Sequence, residues 1–73
     1  MTEMQIMINM STGAHLEVST GQLPKCFLVD GIERTFVGFD TVYRMQKKGF
    51  IERKDLTKWT LTPGTKETII RQQ

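Results

Sequence analysis

The sequence is sparing in reactive residues, with one cysteine, one histidine, one tryptophan and two prolines among 73 residues. A single thiol excludes an internal disulfide and fits a reducing, intracellular setting, so a cytoplasmic protein is expected. Cys26 lies in the apolar run Cys26–Val29 and reads as a small buried hydrophobe rather than a reactive thiol. His15 has no second histidine, cysteine or paired carboxylate at ligand spacing, and reads as a surface or packing residue. There is no phosphate-binding glycine loop and no nucleophile with a histidine base. An enzyme is therefore not expected, nor a metal or other cofactor. No apolar run approaches the roughly 20 residues needed to span a bilayer. The first residues carry Glu3 and lack the basic start and long apolar core of a signal peptide. No membrane partner is expected.

What remains is a chain sized for one small domain, residues 1–73, with an apolar share of 38% and a charged share of 25%. These shares suit a folded domain rather than disorder. The net charge of +2 conceals a gradient. Residues 1–40 hold five carboxylates against Lys25 and Arg34, a balance of −3, whereas residues 41–73 hold eight bases against three acids, a balance of +5. Such asymmetry attracts a polyanion more than the small total does. A solvated basic face without a partner would look the same.

Thr2 and Gln5 have the spacing of a capping box at a helix start. Met4, Met7, Ile8 and Ser11 follow at helical spacing, and Ser11-Thr12-Gly13 reads as a stop. Ile6, Ile8 and Met10 also alternate as in a strand. The helix is preferred because methionine is a good helix former. Leu16 and Val18 mark a short half-buried strand, Thr20-Gly21-Gln22 a turn, and Pro24 a strand start. Asp30-Gly31 between two apolar runs predicts a tight hairpin with a type I′ turn.

From Gly38 or Asp40 a second helix is expected. It places Phe39, Val42, Met45 and Gln46 toward one side and Asp40, Arg44, Lys47 and Lys48 toward the other. Gly49 supplies a left-handed stop, and the lysines near the end suit the helix dipole. Phe50-Ile51 opens a strand, residues 53–58 form a polar tip, and Trp59 and Leu61 alternate in the returning strand. Thr62-Pro63 is a helix start. The last helix runs to about Arg71, with Ile69 or Ile70 closing over the core.

The run Val42-x-x-Met45-x-x-x-Gly49-Phe50-Ile51-Glu52-Arg53, then Trp59-Thr60-Leu61-Thr62-Pro63, resembles the end of winged helix-turn-helix regulators of the MarR and PadR type. The resemblance covers residues 41–67. In that family a recognition helix ends in a glycine turn, the wing follows, and a Leu-Thr-Pro-like cap starts the next helix. It implies a single small winged-helix-like domain, and the hairpin read from Asp30-Gly31 makes the expected fold α+β with an extra N-terminal β-hairpin. That hairpin occupies the place of the positioning helix that a helix-turn-helix requires.

The resemblance also implies roles. Thr41, Arg44, Lys47 and Lys48 would face outward on the recognition-like helix, with Arg44 at a guanine edge and the lysines on phosphates. Arg53, Lys54 and Lys58 on the wing would meet the backbone or minor groove. Tyr43 reads as a partly buried anchor rather than a stacking platform. The expected function is that of a DNA-binding transcriptional regulator or accessory factor of bacterial or phage type, with duplex DNA as partner. So small a monomer binds weakly, so a homodimer is expected. The alternative is a protein-binding module on the same scaffold, such as a phage or mobile-element inhibitor.

Overall fold

The computed structural model describes residues 2–72, in the order α1 (Glu3–Ser11), β1 (His15–Ser19), β2 (Lys25–Asp30), β3 (Glu33–Val37), α2 (Phe39–Lys47), β4 (Ile51–Arg53), β5 (Lys58–Leu61) and α3 (Pro63–Gln72). The helical choice for the first segment holds. Thr2 Oγ1 accepts the Gln5 amide at 3.2 Å, as an N-cap should. The reciprocal half of the capping box is not made, because the Gln5 side chain donates to Asn9 Oδ1 at 3.4 Å. The buried face of α1 is Ile6, Met7, Met10 and Ser11, turned from the expected one: Met4 stands 51% exposed.

The strands form one antiparallel sheet in the order β3-β2-β1-β5-β4. Registers such as Leu16 opposite Leu28 and Trp59, Cys26 opposite Val37, and Ile51 opposite Leu61 put these side chains on one face. With Ile6, Met7 and Met10 of α1, Val42 and Met45 of α2 and Ile69 of α3, they make a single core. The other face carries His15, Glu17, Phe27, Val29, Arg34 and Phe36, all half-buried or exposed. Trp59 lies on an inner strand between β1 and β4 and is 3% exposed.

The β2–β3 hairpin forms where Asp30-Gly31 predicts it, but its turn is shifted by one residue. Asp30 pairs with Glu33, leaving Gly31 and Ile32 as the central residues. Gly31 has φ +63°, and no described non-glycine residue has positive φ. A glycine first and a negative-φ residue second is the signature of a type II′ turn. β-branched Ile32 resists the positive φ that type I′ would ask of it, and here it points fully into solvent.

Helix α2 buries Val42 and Met45 completely and ends in a Schellman motif. The Phe50 amide donates to Met45 O at 3.0 Å and the Gly49 amide to Gln46 O at 3.0 Å, with Gly49 at φ +81°. Thr62 Oγ1 donates to Gly49 O at 3.0 Å, fastening the start of α3 to the end of α2. Of the two candidate residues on α3, Ile69 is buried and Ile70 is not. The architecture is a small α+β domain, three helices with a five-stranded antiparallel sheet.

Candidate nucleic-acid interface

On α2 the predicted contact residues divide into two groups. Arg44 Nε donates to Glu3 Oε2 at 2.9 Å, and Lys48 Nζ lies 3.6 Å from Glu3 Oε1. Both cations are thus shared with the first turn of α1, while their side chains remain about half exposed. Glu3 belongs at that helix N-terminus on dipole grounds. Lys47 is exposed and makes no ion pair among the described residues. Thr41 is half-buried.

The β4–β5 connection is ordered by its own polar groups. Arg53 Nη2 donates to Leu56 O at 2.7 Å, and its guanidinium sits 5.3 Å from the Trp59 ring centroid, a cation–π contact. Asp55 Oδ1 accepts the Thr57 amide at 2.9 Å, and that bond holds the carboxyl below its ordinary range. The Lys54 amide donates to Lys58 O at 2.8 Å. The one acid of this tip is therefore engaged in building the turn. Neither Arg53, Lys54 nor Lys58 forms an ion pair among the described residues. Lys58 stands opposite Glu17, whose carboxyl is also held low, chiefly by its hydrogen bond with His15.

A groove of about 630 Å³ separates α2 from this connection. Phe39, Tyr43, Leu56 and Trp59, with Val18 and Pro24 from the β1–β2 side, supply its apolar lining, and Lys47 and Arg53 its charge; no carboxylate lines it. The Trp59 indole N–H donates to Gln46 Oε1 at 3.2 Å, so the ring is fixed from the α2 side. Tyr43 departs from the expected partly buried anchor: it is 58% exposed and stacks on Phe39 with centroids 5.8 Å apart at 22°. The signal was present, since Phe39, Tyr43 and Lys47 recur at four-residue spacing along one helical row. Chemically, the groove offers a flat ring, with an exposed ammonium and a guanidinium of one sign.

Among the described residues no three His, Cys, Asp or Glu side chains group as a metal site would, and no helix is long and apolar enough to cross a membrane. Burial pushes the Cys26 thiol up to about 11, which keeps it protonated and inert near neutral pH. No protein-family model matches this chain, and neither a curated protein nor a solved structure matches it.

Proposed function

We propose that this chain is a small winged-helix-like DNA-binding protein of the cytoplasm, a transcriptional regulator or accessory factor that acts as a homodimer. In this reading α2 takes the role of recognition helix and β4–β5 that of the wing. The β2–β3 hairpin stands as an addition where a positioning helix would be. The observation that carries the reading is the α2–wing groove, with Lys47 and Arg53 on its walls and no carboxylate among its lining residues. Lys54 and Lys58, which form no ion pair among the described residues, extend the same sign along the wing. A surface of one charge beside a helix and a hairpin suits the phosphate contacts that dominate DNA affinity. Arg44 and Lys48 join the contact by exchanging Glu3 for phosphate.

The test is a low-salt titration of duplex DNA of mixed sequence. The wild type should bind, and replacing Lys47, Lys54 and Lys58 together by glutamine should abolish binding without unfolding. Binding unchanged in that variant would refute the surface.

A second reading, a protein-binding module, is favoured by the other sheet face. Phe27 and Phe36 meet edge to face at 6.2 Å there, Phe36 is 62% exposed, and β3 is an edge strand. An exposed edge beside an aromatic patch is suited to strand addition.

A further inference from the structure

A second groove, of about 440 Å³, opens where the α1–β1 turn meets β5 and the first turn of α3. Lys54, Lys58 and Lys66 line it together with His15 and the Thr60 hydroxyl. The three lysines come from separate parts of the chain: the tip of the wing, the start of β5, and α3. None of them forms an ion pair among the described residues, and no carboxylate lines the groove. The acids nearest in register are Glu17, opposite Lys58, and Glu52, opposite Thr60; Glu17 Oε2 is held by His15 Nε2 at 3.1 Å. Three lysines gathered around one depression sum to a positive potential that favours an anion there. Nothing in the core requires it, because Lys54 and Lys66 are exposed and Lys58 half-buried.

We infer that this groove receives a backbone phosphate of the bound nucleic acid. The footprint would then run off the wing, past the α1–β1 turn and onto α3, with Lys66 as a contact residue outside the recognition helix and wing. The inference rests on the DNA-binding reading and deepens it. A lysine binds phosphate as a point charge, without demanding a fixed planar geometry, and Thr60 adds a hydroxyl donor. Lys66 is the residue that separates this groove from the α2–wing surface, since only the former needs it.

The experiment is a salt series of duplex DNA binding by fluorescence anisotropy on the full chain. It compares the wild type with Lys66→Gln, with Lys47→Gln as the marker of the α2–wing surface, and with Arg34→Gln as a charge control on the far edge strand. Melting curves accompany each variant. Lys66→Gln should weaken binding alike for all sequences and flatten the slope of log affinity against log salt by about 0.9, one phosphate contact. Arg34→Gln should leave the slope unchanged. Binding weakened by Lys47→Gln but untouched by Lys66→Gln would overturn the groove alone. An equal loss in Arg34→Gln would reduce the effect to net charge and overturn it too. A wild type that does not bind would overturn both this inference and the function it rests on. Inorganic pyrophosphate is the second probe, followed through the amide resonances of Ala14, Thr60 and Lys66. It should act only weakly; tighter binding than DNA would make the groove a free-anion site and overturn its assignment to a nucleic acid strand.

Discussion

Arg44 and Glu3 meet at 2.9 Å across 41 positions of sequence, linking the outer side of α2 to the first turn of α1. Lys48 shares the same carboxylate at 3.6 Å. One of the five acids of the front half is thereby shared between two of the eight bases of the back half. An exposed pair of this kind contributes little to stability, about 0–1 kcal/mol. Its larger consequence is for the surface: Glu3 competes with any polyanion for Arg44 and Lys48.

Glu3→Gln should therefore tighten DNA binding while changing the melting temperature little. Glu33→Gln, at the start of edge strand β3, adds the same net charge away from the surface and is the control. Equal gains in both variants, measured by anisotropy at low salt, would show that only net charge matters.

Trp59→Ala should destabilise the domain by about 3–5 kcal/mol, the usual cost of deleting a buried large aromatic. The loss combines the ring, packed on an inner strand, with the indole bond to Gln46 and the Arg53 contact. Against a total stability of about 5–15 kcal/mol for ordinary domains, that is enough to unfold much of a protein this small. A melting temperature equal to wild type would contradict the central place given to this residue.

Gly31→Val should cost on the order of 1–3 kcal/mol, because a β-branched residue is held where φ is positive. Space is not the obstacle, since nothing lies within 4 Å of an added Cβ. Ile32→Asn should be close to neutral, as that side chain is fully exposed. Denaturant melts of the two variants check both statements, and a larger loss at Ile32 would contradict the turn register.

The Cys26 thiol should resist alkylation in the native state near neutral pH. Its folded pKa is raised by burial from 9.0 to about 11. A group so raised contributes stability that is complete below the unfolded value and is lost as pH rises through the folded one. Wild type should therefore lose stability between about pH 9 and 11 relative to Cys26→Val, as read from parallel denaturant titrations. Parallel pH profiles would contradict the burial argument.

The local signals in the sequence were strong where backbone chemistry is strict. Thr2, Gly49 and Thr62-Pro63 mark helix ends because few residues satisfy those positions, and the alternation of Trp59 and Leu61 marks a strand with one buried side. The hairpin was legible from Gly31, but its register was not. Asp30 and Gly31 look alike as turn residues until cross-strand pairing assigns Asp30 to the ladder. The Glu3 pairing was invisible for a different reason. It depends on how α1 lies against α2, and no local pattern encodes a contact between residues 41 positions apart. Lys66 escaped notice likewise, since its convergence with Lys54 and Lys58 exists only once α3 folds back beside the β4–β5 hairpin.

The most direct test of the central claim is a map of amide shift changes in the labelled protein as mixed-sequence duplex DNA is added at low salt. The DNA-binding account predicts changes along residues 43–47 of α2 and its C-cap Lys48, and along residues 53–58, with the Trp59 indole resonance moving as the groove fills. An absence of changes at low salt would contradict it. So would changes confined to Phe27, Arg34 and Phe36 on the opposite sheet face.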